Sequence, residues 1–273
     1  MNKIRAVCTD IDGTLLDSRR ELSPRTVAAF KKINKDIPVI LASSRMPSAM
    51  RHLQAELGIL HYPLICFNGG YVVHYNGDAT PKVIDTVQIE PSICNAIAAY
   101  VKGTSIHMSL YHDDNWYAPK DDAWSEKEAR VTKVIPTFRS FDAVLQDWIQ
   151  NHNGAHKIMC MGLEEEIQVL DENLRKTLSD KIHIYRSSPT YVEIAPRSIS
   201  KATALRLLLS SCYSIDMDNV IAFGDNYNDV DMIQAVGIGV AVANARDEVK
   251  AVAKEITLGN KEDGVAITLE KYF

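Results

Sequence analysis

Cysteine is scarce in this 273-residue chain: Cys8, Cys66, Cys94, Cys160 and Cys212 are odd in number and widely scattered. They form no C-x-x-C pair and no metal-finger spacing, which speaks against a disulfide framework or a cysteine-bound zinc. They read as small core groups in a reducing compartment. Long apolar runs are missing as well, since none approaches the roughly 18 residues that span a bilayer. The opening Met1-Asn2-Lys3-Ile4-Arg5 lacks the apolar segment and cleavage site of a secretion signal. Basic runs are equally absent: 30 Lys and Arg face 35 Asp and Glu, a formal net charge of −5. No stripe fit to follow a nucleic-acid backbone occurs. The eight histidines form no H-E-x-x-H or comparable cluster and read as surface or core residues. No internal repeat or low-complexity segment is present. These absences leave a cytoplasmic protein with neither membrane nor nucleic acid as partner, expected as a monomer or small homo-oligomer.

What is present is an ordinary globular composition, 46% hydrophobic and 24% charged. The length gives a prior of about two domains, each able to bury a core. The run Ile4 to Thr9 reads as a buried strand ending in Asp10-Ile11-Asp12-Gly13-Thr14. Ser23-Pro24 is an N-cap followed by a first-turn proline, opening a short amphipathic helix. Ile37 to Ala42 is a second strand ending in Ser43-Ser44-Arg45; a helix from Pro47 stops at Gly58; Leu64 to Phe67 is a third strand. This βαβαβ rhythm predicts a doubly wound, Rossmann-like, mostly parallel α/β sheet.

From Tyr71 the texture changes. Tyr71 to Tyr75, Asn76-Gly77 and Val83-Ile84 read as a β-hairpin. Helices from Pro91 to Val101, Phe141 to Ile149 and Leu163 to Leu178 then mix with strands around Ile106 to Tyr111, Trp116-Tyr117, Lys157 to Met161, Ile182 to Tyr185 and Tyr191 to Ile194. The βα rhythm resumes with a helix capped by Ser200 and a strand, Val220 to Phe223, that runs into Gly224-Asp225-Asn226-Tyr227-Asn228-Asp229. The expected organisation is a core of residues 1–83 and 191–273, interrupted by an inserted α+β domain of residues 84–190.

In a parallel sheet, polar residues at strand ends converge on one edge, where ligands bind. Asp10 and Asp12, Ser43, Lys201, and Asp225 with Asn228 and Asp229 are the candidates. Asp-Gly between apolar residues is equally a hairpin signal, so the first stretch alone reads as turn or site. An EF-hand loop fails, because Leu15 stands where that loop needs glycine. Three or more carboxylates at one place require a hard cation, with Mg2+ the natural choice. A lysine and a hydroxyl beside it suit a phosphoryl group. With no Ser-His or Cys-His pair at hand, an aspartate is the candidate nucleophile. Gly237-x-Gly239 is no dinucleotide loop, because Val242 occupies the third glycine position.

Asp10-x-Asp12-Gly13-Thr14, Ser43, Lys201 and Gly224-Asp225-x-x-Asn228-Asp229 resemble the four motifs of the haloacid dehalogenase-like superfamily. The insertion is similar to the type IIB cap of its Cof-type sugar phosphatases, and the resemblance extends to Asn68-Gly69-Gly70, Asn244-Ala245 and Glu262-Asp263-Gly264. It implies a phosphate-monoester hydrolase acting on a small phosphorylated metabolite, such as a sugar phosphate, through an aspartyl-phosphate. Asp10 would be the nucleophile and Asp12 the general acid and base. Asp10, the Asp12 carbonyl and Asp225 would hold Mg2+, with Asp229 behind them. Ser43, Ser44, Lys201 and Asn228 would bind the phosphoryl oxygens. Ser44 stands where the family usually has glycine, and Ala202 follows Lys201 where glycine is common. Arg45, Asn68, His112, Trp116 and Tyr117 are candidate substrate contacts, although an aromatic such as Trp116 is more often core. Local alternatives stand beside these roles: Ser43 as a helix cap, Lys201 as a solvated charge, Asn228 and Asp229 as caps of the next helix. Two other functions stay open, a hexose-phosphate mutase and a non-catalytic metabolite-binding module.

Overall fold

Short apolar strands that are buried on both faces form parallel sheets covered by helices. Here β1 (Ala6–Thr9), α1 (Pro24–Lys32), β2 (Val39–Ala42), α2 (Ser48–Leu57) and β3 (Leu64–Cys66) follow that logic, every strand residue being buried. The computed structural model describes residues 3–75 and 80–273. The chain continues through β4 (Tyr71–His74), β5 (Lys82–Thr86), α3 (Pro91–Val101), β6 (His107–His112), β7 (Asn115–Ala118), α4 (Ala123–Thr132) and β8 (Thr137–Phe138). Next come α5 (Phe141–Asn151), β9 (Lys157–Met161), α6 (Glu164–Leu178), β10 (Ile182–Ser188) and β11 (Tyr191–Pro196). It ends with α7 (Lys201–Cys212), β12 (Val220–Gly224), α8 (Val230–Ala235), β13 (Ile238–Ala241), α9 (Asp247–Val252), β14 (Glu255–Ile256) and α10 (Gly264–Tyr272).

Two compact units result, one of residues Met1–Asp85 with Ser200–Phe273, the other Thr86–Ile199. The first holds an eight-stranded sheet ordered β14-β13-β12-β1-β2-β3-β4-β5. Pairing is parallel from β14 to β3 and turns antiparallel between β3 and β4. The expected doubly wound α/β sheet is therefore the fold of this unit. The Asn76-Gly77 turn of the expected hairpin lies outside the described residues; β4 and β5, its two arms, are sheet neighbours. Local signals act as their chemistry predicts. Ser23 Oγ accepts the Thr26 N–H, and Gly58 ends α2 with a left-handed φ of 75°.

The Thr86–Ile199 unit has a six-stranded sheet ordered β10-β11-β9-β6-β7-β8. It is antiparallel except where the two-residue β8 lies parallel to β7. Cys94 and Ile97 of α3, Leu145 and Trp148 of α5, and Ile167, Leu170 and Leu174 of α6 pack on Leu110, Ile158, Cys160, Val192 and Ile194. Each such fully buried aliphatic contributes about 1.5–3 kcal/mol relative to exposure.

Two expectations are corrected here. The boundaries at 83/84 and 190/191 move to 85/86 and 199/200, because β11 pairs with β9 and β10 on either side and belongs to the second sheet. Cys212 is exposed at the end of α7, whereas the other four cysteines are buried as expected. The helix α4 carries no periodic apolar stripe in sequence; the side chain of Asp122 starts it by accepting from the Trp124 and Ser125 N–H groups. Among the described residues, no helix is long and apolar enough to cross a membrane.

Candidate active site

The site is assembled within the first unit by strand register. Ala6 to Thr9 of β1 align with Val220 to Phe223 of β12, and the Asp10 N–H donates to the Phe223 carbonyl at 3.0 Å. The residues just past both strands, Asp10 and Asp225, are thus brought level. Asp10, Asp225 and Asp229 each offer a carboxylate oxygen within 4.8 Å of the others. Gly13 makes this approach possible. Its φ is +87°, and a Cβ there would lie 2.4 Å from Asp225 Oδ2. The Thr14 hydroxyl donates to Asp225 Oδ1 at 3.0 Å, so the loop after β1 locks onto the loop after β12.

Lys201 reaches this cluster from the first turn of α7, which Ser200 caps by accepting the Thr203 N–H. Its Nζ donates to Asp10 Oδ1 at 2.6 Å and to Asp229 Oδ1 at 2.7 Å. The lysine side chain is wholly buried, as is that of Asp229. A cation at a helix N-terminus is unfavourable by itself, and the two carboxylates supply the reason for it. Burial works against the ammonium, but Asp10 and Asp229 together hold its pKa above the ordinary lysine range. Asp229 Oδ2 accepts the backbone N–H groups of Asp225 and Asn226, each at 3.0 Å. The solvated-lysine reading and the simple capping of α8 are both replaced by one buried network.

Three carboxylates and one ammonium leave two negative charges in excess, if all are ionised. Burial first, then Asp229 and Asp225, pushes the Asp10 pKa well above the usual carboxylate range against the pull of Lys201. Burial and Asp229 likewise push Asp225 up to about 6. Asp10 Oδ2 is buried without a hydrogen-bond partner. An orphaned carboxylate oxygen beside a second carboxylate fits a divalent cation with oxygen ligands. The Cys8 thiol beneath is pushed up to about 12 by burial, which disqualifies it as a nucleophile.

Asp12 has different company. Burial raises its pKa, but the Arg45 guanidinium, at 2.8 Å from both carboxylate oxygens, and Arg20 together bring it below the usual range. Arg20 Nη1 lies 3.3 Å from Asp12 Oδ1. Arg45, read from sequence as a substrate contact, is buried and also donates to the Ala49 carbonyl at 3.0 Å. Nothing in the sequence signalled the Asp12–Arg45 pair, since 33 positions separate the two.

Ser43 is buried at the end of β2, and its Oγ accepts the Arg45 backbone N–H at 3.3 Å; it caps no helix, because α2 begins at Ser48 with Pro47 at its N-cap position. Ser44 is half-buried beside it. Asn68, in a left-handed conformation with φ 58°, accepts from Asn228 Nδ2 at 2.9 Å, which joins the loops after β3 and β12. Asn244, at the resemblance's outer reach, donates to the Gly13 carbonyl at 2.8 Å. His112, Trp116 and Tyr117 belong to the second unit. There Trp116 is buried and donates to Ser109 Oγ at 2.9 Å, so it is a core residue. Tyr117 stands edge-on to Trp148.

An α/β sheet whose strand ends gather three aspartates around a buried lysine is the frame of this site. The profile of the haloacid dehalogenase-like hydrolase family matches residues 7–269. The chain belongs to that family, and within it is a Cof-type phosphatase. A phosphatase-named protein of Haemophilus influenzae is 34% identical over 280 residues, covering 98% of each chain. The solved haloacid dehalogenase-like hydrolase of Bacteroides thetaiotaomicron is 28% identical with a TM-score of 0.88, over 99% of this chain and all of that one. TM0651 of Thermotoga maritima is 29% identical with a TM-score of 0.85, over 98% and 97% of the two chains.

Proposed function

We propose that the protein is a Mg2+-dependent phosphatase of small phosphate monoesters, a sugar phosphate or related phosphorylated metabolite, working through an aspartyl-phosphate. The observation that carries this reading is the contact of Lys201 with Asp10 Oδ1, which leaves Oδ2 buried and without a partner. Asp10 attacks in line; Lys201, Ser43, the Ser44 backbone and Asn228 bind the phosphoryl oxygens as negative charge develops. Asp12 delivers a proton to the departing alkoxide and then takes one from the attacking water, a contribution of about 10²–10⁴-fold. Asp10, the Asp12 carbonyl and Asp225 are the residues that would hold Mg2+, with Asp229 orienting Lys201 and the following loop. When bound, the ion supplies charge neutralisation at the phosphoryl oxygens.

Support for the substrate class comes from relatives. A Bacillus subtilis protein, 28% identical over 284 residues, is named 5-amino-6-(5-phospho-D-ribitylamino)uracil phosphatase YitU. The HAD subclass IIB sugar phosphatase BT4131 shares the fold at 22% identity with a TM-score of 0.80. On this reading the Thr86–Ile199 unit is a type IIB cap, whose role is to select the leaving group. A phosphate-release screen over sugar phosphates, phosphorylated sugar alcohols and nucleotides, with Mg2+ or with EDTA, tests it. Turnover is expected with Mg2+ alone and is expected to vanish in Asp10→Asn. Full activity in EDTA, or in that variant, overturns the mechanism.

A further inference from the structure

His112, the last residue of β6, and His156, just before β9, are 44 positions apart in sequence, yet their ring centroids lie 5.3 Å apart. The antiparallel pairing of β6 with β9 produces this: Tyr111 aligns with Lys157, and the His156 N–H donates to the Tyr111 carbonyl at 2.8 Å. Asp113 follows in the turn to β7 with a left-handed φ of 51°. Its carboxylate faces one nitrogen of each ring. Oδ2 is 3.5 Å from His112 Nε2, and Oδ1 is 3.9 Å from His156 Nδ1. No sequence motif announces this contact, and both histidines are buried, as their reading as core residues allows.

We propose that His112, Asp113 and His156 form a second metal site, separate from the Asp10 cluster, which takes a borderline divalent ion of the Zn2+ class. Each imidazole presents one nitrogen toward Asp113 and has an oxygen partner on the other. His112 Nδ1 lies 2.8 Å from the Gly154 carbonyl, which can only accept, so this nitrogen carries the proton and Nε2 carries the lone pair. His156 Nε2 lies 2.9 Å from Thr86 Oγ1. Oxygen acceptors behind the ligating nitrogens are what fixes the tautomer and aim of metal-binding histidines.

The spacings suit the ion. Tetrahedral zinc with bonds of about 2.0–2.1 Å separates its ligand atoms by about 3.3 Å. One ligand atom from each of the three residues lies within 4.8 Å of the others, so capture requires a contraction of up to about 1.5 Å. Capture exchanges one contact, the Asp113 backbone N–H now given to His156 Nδ1 at 2.9 Å, for a coordination bond. Asp113 is able to shift, because it sits in a turn with its side chain 44% exposed; both histidines are buried. Two imidazoles and one carboxylate favour zinc-like ions, whereas the all-carboxylate cluster of the core favours Mg2+. Three protein ligands leave one position for water. Because His156 also holds Thr86, the first residue of this unit, an ion here ties the β6–β7 turn to Thr86.

The test is a Zn2+ titration of the full chain kept saturated with Mg2+, by calorimetry, with Co2+ as a spectroscopic substitute. One Zn2+ per chain is expected, and Co2+ should give the visible bands of a four-coordinate site. Asp113→Ala keeps the backbone N–H and should weaken Zn2+ by at least about tenfold, with a modest drop in the metal-free melting temperature because alanine tolerates the left-handed φ of 51° less well than aspartate. Asp113→Asn should weaken it in the same direction. Asp225→Asn should retain the zinc equivalent. The proposal is overturned if no zinc binds beyond what Mg2+ competes away, if Asp113→Ala binds as tightly as wild type, or if Asp225→Asn removes the equivalent.

Discussion

Arg45 grips Asp12 with two prongs, its Nε on one carboxylate oxygen and its Nη2 on the other, each at 2.8 Å. A lysine cannot reproduce a planar fork. The pair holds the proposed proton carrier ionised and in one orientation. For it to act as an acid, the substrate complex must change this balance, and the phosphoryl dianion is a rival for the same arginine.

Arg45→Ala is therefore expected to lower kcat by about 10–100-fold, the worth of a charge-assisted contact. The acid limb of the pH–rate profile should move upward, because removing the guanidinium lets burial dominate at Asp12. Arg45→Lys should recover only part of the rate. Steady-state kinetics from about pH 5 to 9 read both effects. An unshifted profile would show that Arg45 serves substrate binding alone.

Lys201→Ala leaves the buried Asp10 and Asp229 carboxylates and the half-buried Asp225 together with no ammonium. Removing one partner of a buried ion pair costs about 3–5 kcal/mol. The metal-free variant should melt well below wild type, and Mg2+ should raise its melting temperature by more than it raises that of wild type. Scanning calorimetry with and without Mg2+ decides this.

At Gly13 the expected effect is on geometry. Gly13→Ala forces a Cβ to within 2.4 Å of Asp225 Oδ2 at a φ of +87°. A strained position of this kind costs about 1–3 kcal/mol. Mg2+ affinity, measured by calorimetry, should fall along with stability, because the clash displaces a proposed ligand. Loss of stability with unchanged affinity would place the strain elsewhere.

His156 makes the Thr86–Ile199 unit sensitive to acid. Burial, with His112 beside it, lowers its pKa from 6.5 to about 3. The unfolded chain then holds more protons than the folded one between these values. Its contribution is complete above pH 6.5 and is lost as pH falls toward about 3, at about 1.4 kcal/mol per unit. Denaturant unfolding of metal-free protein at pH 4 to 7 should show that slope, and His156→Gln should flatten it.

The sheet was legible from residue pattern because buried parallel strands are short apolar runs bounded by glycine and by helix caps such as Ser23 and Ser200. The convergence of Asp10 and Asp225 followed from strand ends, whereas Lys201, at the start of α7, was added by its place before a helix and by the family resemblance. Three things were not legible. The membership of Tyr191–Pro196 depends on pairing partners, which periodicity does not name. The helix Ala123–Thr132 has only one residue in ten that is both buried and near its start, Ser125, besides Thr132 at its end, so no apolar stripe marks it. The Asp12–Arg45 and His112–His156 contacts arise from register between distant segments, and each residue alone matches an ordinary surface or core group.

The Lys201 contact with Asp10 has one further consequence. A free carboxylate has two interchangeable oxygens. Here one is an anchor and the other an open face, so the symmetry of the group is broken before any substrate arrives. On the proposed mechanism the same atom of Asp10 forms the bond to phosphorus at every turnover, and the enzyme never has to sort two equivalent attack geometries. The lysine thereby makes the two oxygens of a symmetric side chain distinct.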